Sequence, residues 1–222
     1  MIIYYDIGGI FLDINKLINK LKTKIPEPMG IHNKYSTLIP LIEIDGNWEI
    51  LFESRAKTLR KQPGEISLPG GRVEDGESFK EAAIRETLEE LRISKEHLNY
   101  IGELNYLISY ANILIHCFVG KINGITLDKI HPNPDEVDHL FTVPLNFFIE
   151  NPPKKYYLDL KLVENNNFPY NLIPNGREYK WSTGSHSILF YKYEDKIIWG
   201  YTAKIMEDFV KILENLEIYP SL

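Results

Sequence analysis

Between Gly70 and Glu90 the chain sets carboxylates and glycines at spacings that could do chemistry. Gly70-Gly71 is followed by Glu77, then by Arg85-Glu86, and then by Glu89-Glu90. Ser78, with Glu81 three residues on, forms a capping-box pattern and opens a predicted helix running to Ile93. On a helix of about 3.6 residues per turn, Ile84, Leu88 and Leu91 share one stripe. Glu86, Glu89 and Glu90 share another. Unit charges about 5 Å apart repel by roughly 3 kcal/mol at an effective dielectric near 20. Such an edge is either a solvated acidic face or a place for a hard divalent cation. Oxygen-only ligands suit that cation, and magnesium in such sites usually also holds substrate phosphates.

Other elements must position this stretch. Two apolar strands, Ser36 to Ile44 and Trp48 to Glu53, are joined by the hairpin signal Asp45-Gly46-Asn47. A basic segment follows, with Arg55, Lys57, Arg60 and Lys61, and a short strand then enters the glycine turn. Beyond the helix, Tyr100 to Ile108 and Asn112 to Ile122 read as strands linked by Ser109-Tyr110-Ala111. His116 reads as an interior histidine with its bonds met, and Cys117 as an inert buried thiol. The polar run His131 to His139 leads into a strand from Leu140 to Val143, and Pro144 opens a short helix to Ile149. Tyr156 to Val163 is strand-like. Glu164 to Arg177 is a long loop, a candidate lid with Tyr170, Arg177 and Tyr179 as contacts. A hairpin, Ser187 to Tyr193 and Lys196 to Trp199, precedes a helix from Thr202 to about Leu216. At the other end, Ile14, Leu17, Ile18 and Leu21 with Asp13 as N-cap predict an N-terminal helix. Residues 1–33 then form a helical arm and linker, and 34–222 the main domain.

The spacing resembles the Nudix box: Gly71, five residues, Glu77, seven residues, Arg85-Glu86, two residues, Glu89-Glu90, one residue, position 92. Thr87 stands where an aliphatic residue is usual, and Arg92 where the box has glycine. An arginine in a left-handed cap costs about 1 kcal/mol, or shifts the helix end. The resemblance covers about residues 36–215. It implies an α/β fold, the Nudix α/β/α sandwich with a mixed β-sheet between helices, and metal-assisted cleavage of a diphosphate. By the same resemblance Glu86 and Glu90 are the main ligands of Mg2+ or Mn2+, with Glu89 and the Gly70 carbonyl alongside. Glu89, or Glu136 from the 131–139 loop, is the base, while Arg85 and Glu77 hold the loop and carboxylates in place.

A second motif resembles the coenzyme A pyrophosphatase branch of that family. Arg55, Leu59-Arg60, Pro63-Gly64 and Pro69-Gly70-Gly71 match it, with Ala56 for the usual serine and Leu68 for phenylalanine. Ile198-Trp199-Gly200 followed by Thr202 matches a further piece. The implied substrate is coenzyme A or an acyl derivative, met by Arg55, Arg60, Lys61 and Arg72. Another nucleoside diphosphate derivative, such as ADP-ribose or a dinucleotide, is the alternative. A nucleotide-sensing module that cleaves nothing is a third reading, against which the full carboxylate set argues.

Composition bounds the rest. The 222 residues are 44% hydrophobic and 25% charged, ordinary for a folded domain. A net charge of −6 supplies no global field for nucleic-acid backbones. The single cysteine rules out an intrachain disulfide. The first residues lack a signal-peptide pattern and no apolar run reaches membrane-span length. The expectation is a cytoplasmic enzyme, monomer or homodimer, with no membrane partner.

Overall fold

The computed structural model describes residues 6–216 apart from 8–9, 12, 32 and 164–166. The chain divides into residues 1–32 and 33–222. In the first unit, strands β1 (Asp6–Ile7) and β2 (Ile10–Phe11) pair antiparallel and precede helix α1 (Ile14–Thr23). Asp13 caps that helix, its side chain accepting from the Lys16 amide at 3.0 Å.

The second unit runs in order through β3 (Asn33–Ile44), β4 (Asn47–Arg55), β5 (Ile66–Ser67), β6 (Gly70–Arg72) and helix α2 (Phe79–Leu91). Then come β7 (Leu98–Glu103), β8 (Leu107–Ile108), β9 (Ile113–Ile122), β10 (Val137–Pro144) and α3 (Leu145–Glu150). It closes with β11 (Lys154–Leu160), β12 (Gly184–Tyr193), β13 (Lys196–Trp199) and α4 (Gly200–Asn215). The main sheet has the order β10-β4-β3-β9-β7, with β5 on β4, β6 on β3 and β8 on β9. It is mixed: β3 and β9 run parallel, from Asn33 opposite Ile113 to Ile42 opposite Ile122, and the other pairs are antiparallel. A parallel pair needs a crossover, and α2 lies within the one between β3 and β9.

Strand alternation assigns the two faces. On β3, Leu38 packs with Ala83 of α2 and with Phe118, while Ile42 packs with Leu51 and with Leu91 of α2. Ile39 points the other way, into a larger core with Ile50, Phe52, Cys117 and Phe148 and with Ala203, Met206 and Phe209 of α4. Helices therefore cover both faces, which is the α/β/α arrangement. Phe52, Phe148 and Met206 are fully enclosed in that core, each worth about 1.5–3 kcal/mol relative to exposure.

Four local features correct or complete the sequence reading. The expected strand 100–108 is broken at 104–106 into β7 and β8, where the register on β9 shifts by one residue between Glu103 opposite Phe118 and Leu107 opposite Ile115. The C-terminal hairpin does not extend the main sheet; β12 joins β11 and β13 in a separate three-stranded antiparallel sheet. Arg92 does not move the helix end. It takes the left-handed cap itself at φ 50° and ψ 43°. In the expected long loop, residues 167–181 are ordered by two short 3-10 turns, Tyr170–Leu172 and Gly176–Glu178. Phe168, Tyr170, Tyr179 and Trp181 meet edge to face there, with the Arg177 guanidinium 4.6 Å from the Tyr170 ring. Residues 164–166 lie outside the described residues.

Candidate active site

The site is built where the glycine turn meets α2. β6 lies against β3, with Gly71 opposite Ser36 and Gly70 opposite Thr37. A Cβ on Gly70 would run into the Ser36 carbonyl oxygen, and one on Gly71 into the Glu86 carboxylate. Glycine is required at Gly70, where the obstacle is backbone, whereas a side chain at Gly71 would displace the Glu86 carboxylate. The Pro69 carbonyl accepts from the Leu38 amide at 3.0 Å and from Thr37 Oγ1 at 2.8 Å, which fixes the turn to the sheet. Ser78 caps α2 through a complete capping box, and Ser36 Oγ donates to the Phe79 carbonyl at 2.6 Å.

The helix does not divide as the sequence suggests. Its buried residues are Ala82, Ala83, Thr87, Glu90 and Leu91, whereas Ile84 and Leu88 are half-buried. Ala82 and Ala83 let the helix approach the sheet closely, and that approach takes Glu90 inward, away from the solvated edge. Thr87, where an aliphatic residue is usual, donates to the Ala83 carbonyl at 2.7 Å and so hides its hydroxyl within the helix. The three glutamates thus sit at three depths. The Glu90 residue is 4% exposed, and the side chains of Glu86 and Glu89 are 16% and 56% exposed.

Arg85 ties the rim together. Its Nε and Nη2 donate to the two Glu77 oxygens at 2.9 and 3.0 Å. Nη1 donates to Glu86 Oε1 at 2.9 Å and to Glu89 Oε2 at 3.1 Å, and Nη2 also donates to the Arg72 carbonyl at 3.2 Å. Glu77 in turn accepts from the Glu74 amide at 3.1 Å, which closes the loop before the helix. An open groove of about 690 Å³ runs along this edge, lined by Glu74, Glu77, Arg85 and Glu89.

Deeper in, the structure adds a carboxylate that sequence reasoning passed over. Glu53 on β4 is fully buried and shares its face with Leu51, toward α2. Its Oε1 accepts from Ser67 Oγ at 2.8 Å. The signal was present in the sequence: alternation from Leu51 puts an acid on an interior face of an apolar strand. Glu90 Oε2 accepts from the Gly70 amide at 2.8 Å. Burial pushes the carboxyl pKa of both Glu53 and Glu90 well above the ordinary value; repulsion from Glu136 and Glu86 adds to the rise at Glu53, and repulsion from Glu53, Glu86 and Glu136 adds to it at Glu90. Glu86 is also raised by burial, against the pull of Arg85. Glu77 is lowered, chiefly by the hydrogen bonds from Arg85.

Glu136 is brought to the same place by a chain that includes the departure at position 92. Arg92 Nη2 donates to Asn133 Oδ1 at 3.0 Å, and Asn133 Nδ2 donates to Glu136 Oε2 at 2.9 Å. The Asn133 amide also donates to the Glu90 carbonyl at 2.8 Å, and the Ala56 amide to the Glu136 carbonyl at 2.8 Å. Of the basic residues, Arg55 is half-buried on β4, on the same face as Glu53. Arg60, Lys61 and Arg72 are exposed, and among the described residues none of their side chains bonds a box carboxylate. His116 is held off the site, its Nδ1 2.6 Å from Glu103 Oε1 and its ring stacked on Phe79. Cys117 is buried, its thiol pushed up to about 12.

Among the described residues no three acidic, histidine or cysteine side chains form a ready cage for a metal ion. The donor set nevertheless fits one. Glu90 is a buried carboxylate met by a single amide, and Glu53 Oε2 is buried with no hydrogen-bond partner. A cation removes both deficits.

A mixed sheet between two helices, with a glycine turn feeding an arginine-bound glutamate helix, defines a hydrolase of phosphoric anhydrides, and the chain belongs to the Nudix family. The NUDIX domain model matches residues 33–164. The relatives are named Nudix hydrolases, enzymes acting on pyrophosphate bonds that generally use divalent metal ions and nucleotide-derived substrates. The chain is 28% identical over 186 residues to Nudix hydrolase 3 of Caenorhabditis elegans, covering 83% of this chain and 74% of that protein. It is 31% identical over 126 residues to the peroxisomal coenzyme A diphosphatase NUDT7 of Mus musculus, covering 56% of this chain and 52% of that protein. Among solved structures, a MutT/nudix family protein from Enterococcus faecalis superposes with a TM-score of 0.50 over 90% of this chain and 69% of that one, at 13% identity. Among the described residues no helix is long and apolar enough to cross a membrane.

Proposed function

We propose that the chain hydrolyses the diphosphate of coenzyme A or an acyl derivative, giving adenosine 3′,5′-bisphosphate and a phosphopantetheine. The observation that carries the choice of substrate is the meeting of two segments far apart in sequence, each resembling the coenzyme A branch. Thr202 Oγ1 donates to the Ile66 carbonyl at 3.4 Å, and Pro63, Gly64, Ile66, Ile197 and Trp199 line one open groove of about 530 Å³. The basic loop with Lys57, Arg60 and Lys61 connects this groove to β4, whose Glu53 and Arg55 face the carboxylates. The partial similarity to a coenzyme A diphosphatase supports the same reading.

Glu86 and Glu90 would hold a Mg2+ or Mn2+ ion, with Glu89 and the Gly70 carbonyl alongside. Bound there, the ion polarises a phosphoryl oxygen and lowers the pKa of water. Glu136, fixed by Asn133, takes the proton of the attacking water. Arg55 offers its buried Nε, which has no partner among the described residues, to a phosphate oxygen. Arg85 and Glu77 orient Glu86 and the loop without touching substrate. Arg60, Lys61 and Arg72 meet the remaining phosphate charge.

Turnover of coenzyme A, ADP-ribose, NADH and nucleoside triphosphates with Mg2+ or Mn2+ tests the substrate. Coenzyme A is expected to lead, and a much faster ADP-ribose reaction would overturn the assignment. Arg60→Ala is expected to raise KM for coenzyme A about tenfold, the loss of one charge-assisted bond. KM for ADP-ribose, which lacks the 3′-phosphate, should stay within about twofold.

The raised carboxyl pKa values also fix a pH dependence. Folded Glu53 and Glu90 hold protons more tightly than in the unfolded chain, whose ordinary value is 4.5. Their contribution to metal-free stability is therefore full below that value and is lost as pH rises through the higher folded values. A cation must displace those protons, so Mn2+ binding at about pH 7 is expected to release protons and to weaken as pH falls. Calorimetry in two buffers of different ionisation enthalpy measures the count. A count of zero would mean that both groups are already ionised.

A further inference from the structure

We propose that Glu53 is a further ligand of the divalent cation, supplied by the sheet from outside the glutamate helix. The inference rests on the metal-dependent reading above and adds to it a residue of the strand preceding the glycine turn. Three observations carry it.

Glu53 is fully buried, yet only Oε1 has a partner, the Ser67 hydroxyl at 2.8 Å. Oε2 has none among the described residues, and an unpartnered buried carboxylate oxygen is strongly unfavourable unless something positive arrives. Second, its direction is set by the fold. Glu53 follows Leu51 by two residues on β4, so both side chains leave the same face, and Leu51 packs with Leu91 of α2. The residue before Leu91 is Glu90, also buried, whose side chain accepts from the Gly70 amide. Strand and helix thus present one carboxylate each to a shared interior.

Third, the other buried polar atom left without a partner among the described residues is Arg55 Nε, two residues further along the same strand and face. An orphaned acceptor beside an orphaned donor is what a cation carrying an anionic phosphate would satisfy together. β4 is also an interior strand, and at Glu53 it is paired with Leu140 of β10 on one side and Ser67 of β5 on the other, so it offers Glu53 from a rigid support. The bond from Ser67 leaves Oε2 as the coordinating atom.

The test uses the full chain and Mn2+ alone, with affinity read by calorimetry and by water-proton relaxation. Glu53→Gln is expected to weaken Mn2+ binding at least about tenfold. In EDTA its Tm should equal or exceed that of the wild type, since the amide keeps the Ser67 bond and cannot ionise in the buried site. Glu90→Gln serves as the reference for the metal site. If Glu90→Gln loses Mn2+ while Glu53→Gln binds it within twofold of wild type, the role of Glu53 is overturned and the metal-dependent reading stands. If neither variant affects binding, both are overturned. Should Glu53→Gln lower Tm in EDTA, Glu53→Asp decides. It keeps the charge but withdraws the carboxylate, so weakened Mn2+ binding supports coordination and undiminished binding overturns it.

Discussion

Replacing Glu90 by glutamine is expected to lower kcat by on the order of 10³-fold while the fold survives. The loss corresponds to the several kcal/mol of transition-state charge stabilisation that a bound divalent cation supplies. Glutamine has almost the shape of glutamate and keeps an oxygen to accept the Gly70 amide at 2.8 Å, so the glycine turn stays attached. It also cannot ionise, at a position that is 4% exposed, where burial and the neighbouring Glu53 and Glu86 already oppose a charge. Metal-free Tm should therefore hold or rise, and the stabilisation that Mn2+ gives the wild type should shrink. Steady-state kinetics with Mg2+ and thermal unfolding with and without EDTA check both halves. Wild-type kcat in this variant would remove Glu90 from the metal site.

The second large effect is expected at Arg85. One guanidinium holds Glu77 by two bonds, Glu86 and Glu89 by one each, and the Arg72 carbonyl by another. Arg85→Ala leaves those carboxylates to repel one another and frees the loop before the helix. Its side chain is 27% exposed, so water recovers part of the loss. The expected cost is about 2 kcal/mol, or roughly 4–8 °C in Tm, with kcat down about 10–100-fold through misplaced carboxylates. Arg85→Lys should restore part of the stability but little of the activity, because an ammonium cannot fork across Glu77 and still reach Glu86. Wild-type kcat in the lysine variant would show that charge alone suffices. The Glu77 pKa lies below its ordinary value, so its part of this stability is present above that value and fades as pH falls through the depressed one. The alanine penalty should shrink in acid.

Several features are legible in the sequence alone. The capping box at Ser78 and Glu81 works through neighbours along the chain, as does the Asp13 cap, so local pattern suffices for both. The α/β/α sandwich is implied by the resemblance of the glycine turn and glutamate helix to the Nudix box. The Arg85–Glu89 pairing follows from i, i+4 spacing. At position 92 the first of the two outcomes expected from local pattern holds, the left-handed cap taken by arginine itself. There a cost of about 1 kcal/mol for a left-handed arginine is accompanied by a bond to Asn133, 41 residues away. Local pattern misled at 100–108, where the pairing against β9 slips by one residue across 104–106 and breaks the strand.

What the sequence determined by itself was the reaction class: glycines, an arginine and glutamates at fixed spacing along one turn and one helix. Periodicity also put Glu86, Glu89 and Glu90 on one stripe, but their depths came from packing. Ala82 and Ala83 allow α2 to sit close to the sheet, which buries Glu90 and leaves Glu89 at the rim. Only the tertiary structure set Glu53 facing the buried end of that helix, joined Arg92 through Asn133 to Glu136, and brought Ile66 to Thr202. Helix spacing reports which side chains share an edge. Whether a carboxylate meets water, an arginine or another carboxylate depends on what folds against that edge, and those partners come from strands and loops far away in the chain.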